Sequence, residues 1–212
     1  MSVGTSIYHI GDIKRRTTLM EISQEKEYED LTFRGLKKID ENIRDKTFIN
    51  CEFNNCDFTQ TDFSNSKFED CIFNECNLTL VKYDDVKLRN AKFKGCKLVG
   101  VNFNKCDTFI LEIGFQDSLI ENCNFSSLAL KKSLFKNSNI LESDFVGTDL
   151  SECDFTSSSL GGTIFDNSNL SKANFSDAKD YDINPLNNIV KKAVFTMPEA
   201  MMLLRHFNIT IK

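Results

Sequence analysis

The chain of 212 residues is 41% hydrophobic and 27% charged, with a formal net charge of −5. These values exclude wholesale disorder and fit one domain or at most two. No stretch approaches 18 uncharged apolar residues, which argues against a membrane-spanning helix, and the acid excess argues against an ordinary nucleic-acid binder with a basic face.

The N-terminal segment, MSVGTSIYHIGDIKRR, lacks a charged region followed by an apolar core. No secretory signal is expected, and the protein reads as cytoplasmic. Residues 1–30 read as a flexible N-terminal arm. Phe33, within EKEYEDLTFRGLKKI, begins a first, imperfect repeat.

From Phe48 a large apolar residue recurs at every fifth position: Phe48, Phe53, Phe58, Phe63, Phe68 and Phe73, then on through Leu78 and Tyr83 to Phe103. A second run extends from Phe115 to Phe175. Neither an α-helix nor a β-strand has a period of five, and a sustained internal repeat is the signature of a solenoid. Two residues before nearly every one of these centres stands a small residue, such as Cys51, Cys56, Thr61 or Ser66. One large and one small side chain per five therefore point inward, and the remaining three, mostly Asp, Asn, Lys, Glu and Ser, face solvent. All eight cysteines keep the small-residue register, Cys106 included. They read as compact apolar fillers, because zinc sites use closely paired Cys or Cys/His clusters and the two histidines, His9 and His206, lie outside the repeat. No catalytic triad, phosphate-binding glycine loop or metal cluster is apparent, so no enzyme activity and no cofactor is expected.

The segments SECDF, SKANF and LVGVNF resemble the consensus of the pentapeptide-repeat family. The resemblance implies an all-β fold, a right-handed quadrilateral parallel β-helix with one pentapeptide per side and four per coil, over residues 31–180. Alternation of the centres supports four sides independently. From Phe73 onward aromatic and aliphatic centres alternate, so residues 20 apart stack, with Phe115, Phe135, Phe155 and Phe175 in one column. The 25 centres from Phe48 to Phe175 make about six coils and a filled rod roughly 30 Å long at the usual strand spacing.

Phe103 and Phe115 are twelve residues apart, two more than a multiple of five. The register break at 104–114 reads either as a tolerated insertion on a solenoid edge or as a partner loop that exposes Phe109, Ile110 and Leu111. Residues 181–212 read as a C-terminal cap. In TMPEAMMLLRHFNITI, Thr196 or Met197 is placed to cap a short α-helix, with Pro198 in its first turn and Glu199 at its positive end. One face of this helix is expected to plug the last coil, and Met201, Leu204 and Phe207 to form a homodimer interface.

The tail DYDINPLNNIVKKAVF and the break KLVGVNF…SLIENCNF are similar to the Qnr-type and microcin-immunity-type quinolone-resistance branch of the family. That resemblance implies a dimeric rod that mimics duplex DNA, binds DNA gyrase or topoisomerase IV and protects it from quinolones or toxins, without binding nucleic acid or membrane itself. Acidity concentrates in residues 111–180, with eleven acidic against five basic residues. Glu142, Asp144, Asp149, Glu152, Asp154 and Asp166 are the candidate topoisomerase-facing residues, with Lys172 and Lys179 as their offset. The alternative is a non-catalytic structural or interaction scaffold without DNA mimicry. Lys82, Lys87, Arg89, Lys92, Lys94 and Lys97 favour it, because they make the middle coils mildly basic.

Overall fold

The computed structural model describes residues 22, 25–207 and 209–210. Short parallel strands pair only with strands about twenty residues away, building a parallel β-helix of about eight turns. Each turn has four walls. The first carries Glu27–Glu29, Thr47–Ile49, Lys67–Glu69 and Lys87–Arg89. The second carries a six-stranded sheet from Thr32–Arg34 to Leu134–Lys136. The third carries Lys97–Val99, Leu119–Glu121 and Asn139–Leu141. The fourth is built mainly of single bridges, such as Asn124 with Asp144.

The helix is longer than the repeat count suggests. Its first strand, Glu27–Glu29, already lies inside the stretch read from sequence as an arm, and Tyr28 stacks on Phe48 at 5.1 Å. The rest of that arm, residues 1–21, falls outside the described residues. At the other end Val194–Phe195 pairs with Asn174–Phe175, inside the region read as a cap. At the usual strand spacing, about eight turns make a rod of roughly 38 Å.

The interior is a herringbone of rings. On the second wall nine Phe, from Phe33 to Phe195, form one column with successive centroids 4.7–5.3 Å apart. Phe103, Phe125, Phe145 and Phe165 form the facing column on the fourth wall. The two columns meet edge to face, as Phe125 and Phe135 do at 5.9 Å and 90°. Each such pair adds about 0.5–1.5 kcal/mol beyond the area it buries. In the distal turns buried aliphatic centres such as Leu130, Leu150, Ile140 and Leu160 fill the other two walls, whereas the first turns carry Tyr28, Phe48, Phe58 and Phe68 there. Lys38 is the exception. It occupies a centre position in the first turn and pairs with Glu41 at 3.2 Å, so the open end of the core is polar there.

Two local rules explain the sequence. Nearly every fifth residue, two past a centre, adopts a left-handed backbone conformation at a corner, as at Asn50, Asn55, Asn65 and Asp70. Asn, Asp and Gly tolerate that region best, which accounts for their abundance. The corner side chains also form ladders, with the Asn90 amide donating to Asp70 at 2.7 Å.

The second rule concerns the small residues. Each of many points its side chain at the carbonyl of the centre one turn below. Cys76 donates to Phe53 at 3.3 Å, Cys96 to Phe73 at 3.3 Å, Thr148 to Phe125 at 2.9 Å and Cys153 to Leu130 at 2.9 Å. The position therefore favours Cys, Ser and Thr for their donors as well as for their size, a reason that the filler reading of the cysteines lacked.

All eight cysteines are buried and free. Burial pushes the Cys123 thiol up to about 11 and the Cys153 thiol up to about 12. It also pushes Cys106 up to about 12, helped by the nearby carboxylates Asp84 and Asp107. An unfolded thiol titrates near 8.5. The folded state therefore binds these protons more tightly than the unfolded chain. The resulting stability is full below about pH 8.5 and is lost as pH rises through about 11–12. We expect a thiol-reactive chromogen at pH 8 to label no cysteine of the native protein and all eight after unfolding, and a denaturant midpoint that falls between about pH 9 and 12. Rapid native labelling of Cys123 or Cys153 would contradict the packing described.

Candidate protein-interaction surfaces

A filled interior leaves the walls as the functional surface. Among the described residues no group of three or more His, Cys, Asp or Glu is placed to hold a metal, and no helix is long and apolar enough to cross a membrane.

The six candidate carboxylates divide between two sides of the rod. Asp149, Glu152 and Asp154 lie on the first and second walls and are largely committed. Asp149 accepts the Ser151 amide at 3.0 Å and the Asn169 side chain at 3.0 Å. Asp154 accepts the Thr156 amide at 3.0 Å and sits 3.7 Å from Lys136. These are turn-forming contacts that Asp makes in any chain. Glu152 is shared by Lys131, Lys172 and Lys132 at 3.4, 3.7 and 4.0 Å. Partial desolvation opposes the effect, but Lys172, Lys131 and Lys132 together hold Glu152 below the usual carboxylate range. The sequence reading, which saw only Lys172 and Lys179 as offsets, missed Lys131, Lys132 and Lys136. These lie one turn below their partners, a relation that becomes visible only when the chain is wrapped with a period of twenty.

Glu142, Asp144 and Asp166 lie on the opposite side. Asn124, Asp144, Ile164 and Asp182 form one outward column on the fourth wall, with Asp166 two residues past Ile164. Among the described residues this wall has no lysine or arginine past Lys105. Glu142 stands at the corner between the third and fourth walls and leans over Gly162 in the next turn. Asp182 is the residue that the sequence did not reveal. It joins the column because the register shortens to eighteen residues between Ile164 and Asp182, then recovers so that Ile189 again lies twenty past Asn169. Tyr181 is the trace of that shift: it is buried beside Phe175 and Phe195, where an aliphatic centre would otherwise fall.

The insertion is anchored at both ends. The Asp107 amide donates to Val86 and the Glu112 amide to Leu88, each at 2.9 Å, and Phe115 still registers with Phe93. Between the anchors Phe109 is 90% exposed and Ile110 43% exposed. Leu111 is not exposed as expected. At 9% it turns inward and packs against the core, serving as the apolar centre of the interrupted first wall.

The C-terminal helix, Glu199–Phe207, is a 3-10 helix rather than the α-helix expected. Thr196 is not a side-chain cap, because its hydroxyl accepts the Asp177 amide at 2.8 Å. The peptide bond from Met197 to Pro198 is cis. Met202 and Leu203 pack against the core, and His206 bonds Asp182 at 2.9 Å. With three residues per turn, side chains three apart eclipse. Met201, Leu204 and Phe207 therefore form one row, along which Phe207 is 45% exposed.

Residues 46–125 and 66–145 match the family model described as a pentapeptide repeat region, and residues 148–179 match that of pentapeptide repeats in eight copies. The chain belongs to the pentapeptide-repeat proteins. Its fold is similar to that of QnrB1, a plasmid-mediated fluoroquinolone resistance protein. One trypsin-treated variant of QnrB1 aligns with a TM-score of 0.66 and 17% identity, covering 88% of this chain and 98% of that one. A second gives 0.62 and 16%, covering 85% and 100%. Among curated proteins none matches the chain by sequence.

Gly162 tests how closely this surface is built. Its backbone is left-handed at φ +69°, and a Cβ there would fall 2.3–2.6 Å from the Glu142 carboxyl atoms. Gly162→Ala is expected to destabilise by about 1–2 kcal/mol in denaturant titration from the left-handed backbone alone, with an added increment from the displaced Glu142. In a Glu142→Ala background only the backbone share should remain. Equal costs in both backgrounds would show that Glu142 does not occupy the corner.

Proposed function

We propose that the protein is a non-catalytic ligand of a type II topoisomerase, DNA gyrase or topoisomerase IV, and that it protects the enzyme from quinolones or toxins by presenting a DNA-like anionic rod. The observation that carries this reading is the fourth wall. Glu142, Asp144, Asp166 and Asp182 lie on one side of the distal half of the rod, where Asp182 is bonded by His206, and among the described residues no lysine or arginine follows Lys105 on that wall. With turns about 4.8 Å apart, this is roughly one carboxylate per turn, against one phosphate per about 3.4 Å along a DNA strand. A basic groove shaped for phosphates would meet fixed charges on a scaffold that loses little entropy on docking. The likeness in fold to QnrB1, described as a fluoroquinolone resistance protein, supports the same reading.

The Met201, Leu204 and Phe207 row is the proposed two-fold seam, with the apolar and self-complementary character that such an interface needs. Two rods joined there would span roughly 77 Å, or about 23 base pairs. The first and second walls, where Glu152 and Asp154 are neutralised by lysines, suit a scaffold better than a mimic. The reading therefore assigns the topoisomerase contact to the fourth wall.

The test is a gyrase supercoiling assay with a quinolone at its half-inhibitory dose. Added protein should restore supercoiling. The triple variant Glu142→Gln, Asp144→Asn, Asp166→Asn should need at least about tenfold more protein, a loss of about 1.4 kcal/mol, while Glu152→Gln should behave as wild type. No rescue up to tens of micromolar, or full rescue by the triple variant, would reject the assignment.

A further inference from the structure

We propose that a trough on the edge between the first and second walls is a docking site for an extended, acidic peptide segment carrying an apolar side chain. The trough lies across the rod from the fourth wall, and its occupant is independent of the topoisomerase reading.

The inserted residues create it. Because the chain bulges between its anchors at Asp107 and Glu112, the first-wall sheet stops at Lys87–Arg89, and a hollow of about 360 Å³ opens between the insertion and the next turn. Its floor is Leu111, Ile113, Gly114 and Leu134, and its rim is Lys92, Lys131, Lys132 and Glu112. A smaller hollow lined by Lys92, Lys94, Gly114 and Leu134 continues it onto the second wall. Leu134, 47% exposed, forms the shared lip.

Gly114 is the telling residue. It lies inside the strand Ile113–Gln116, the second strand from one end of the six-stranded sheet, between Lys92 and Leu134 in register. Its backbone is not left-handed, and an added Cβ would meet the Leu134 Cβ at 3.6 Å, an ordinary contact. Neither conformation nor packing therefore calls for glycine, which weakens a strand. A strand glycine of this kind marks a bulge, a tight bend or a close approach by another chain or ligand, and here it follows the insertion and leaves the floor of the trough without a side chain.

The charge of the rim selects the occupant. Among the described residues no carboxylate lies within ion-pair distance of Lys92 or Lys94, while Lys131, Lys132 and Lys172 share the single carboxylate of Glu152. In a chain of net charge −5 this is a local cationic patch over an apolar floor. The apolar floor favours a peptide, which can place an apolar side chain on it, over a nucleic-acid backbone. An extended peptide would place alternate side chains on the floor and its carboxylates on the lysines.

The probe is a fluorescein-labelled Glu-Glu-Leu-Glu-Leu-Glu-Glu peptide, read by fluorescence polarisation on the full-length protein. A Lys-for-Glu counterpart and a labelled single-stranded oligonucleotide serve as comparisons. The acidic peptide should bind, weaken as salt rises from about 0.05 to 0.3 M, and lose at least about tenfold in affinity with Gly114→Val. That substitution fills the floor with a good strand former. Lys92→Glu with Lys94→Glu should produce a similar loss without touching the floor. Asp144→Asn with Asp166→Asn should leave peptide binding unchanged, separating this site from the fourth wall. Equal binding of the acidic and basic peptides, or indifference to both trough variants, would overturn the proposal. So would binding of the oligonucleotide alone.

Discussion

The constraint on which this molecule depends is that every turn must be laid over the one below in the same register. Most backbone amides bond to neighbouring turns, as Phe135 does to Asp154 and Asp154 to Ser133, and a smaller set closes the corners within a turn, as Ser133 does to Leu130. A turn of the wrong length would leave these donors without acceptors inside the rod, at about 1–3 kcal/mol for each buried group left unpaired. The ring columns and the carbonyl-directed thiols and hydroxyls enforce the same spacing from within. Backbone, large residue and small residue agree at each step, and such consistency across levels is what specifies one fold. The buried Tyr83 hydroxyl departs from that agreement, since it finds no hydrogen-bond partner.

Uniform turns have a functional consequence. With the interior filled by rings, chemistry is confined to the outward positions, and each wall is a column that residues twenty apart write together. Walls that look alike in composition can then differ in field. The lysines at 131, 132, 136 and 172 fall beside Glu152 and Asp154, whereas none falls on the fourth wall beyond Lys105. The two departures from twenty have opposite effects. The longer turn at 104–114 opens a trough beside the first wall, and the shorter one at 165–183 brings Asp182 into the anionic column and within reach of His206.

Much of the fold was legible because its period is short and its demands repeat. The Phe spacing identified the repeat, and the alternation after Phe73 supported the four walls and columns that the family resemblance implied. The ends were less legible. Tyr28 and Lys38 keep the register of Phe48, but Lys38 breaks its apolar pattern, so the first turn reads as imperfect, starting at residue 31, and Tyr28 falls in the arm. Near the C-terminus the compensating shifts around Tyr181 hide the continuing helix up to Phe195. The surface was least legible of all. Carboxylates that look free in sequence, such as Asp149 and Asp154, hold their own turns together, and the partner lysines of Glu152 are visible only in the wrapped chain. At the 3-10 helix, apolar content identified the segment but not its three-residue turn, which sets which side chains align.

The most direct measurement of the central claim is native-state hydrogen exchange resolved to single amides. A rod held by one repeated register predicts that the amides of Phe125, Phe135 and Phe155, each bonded to the next turn, exchange only through unfolding of several turns at once, with protection close to the global stability. The inserted segment at 108–110 should exchange orders of magnitude faster. Fast, independent exchange at Phe135 and Phe155 would contradict the stacked, filled interior on which every surface assignment rests.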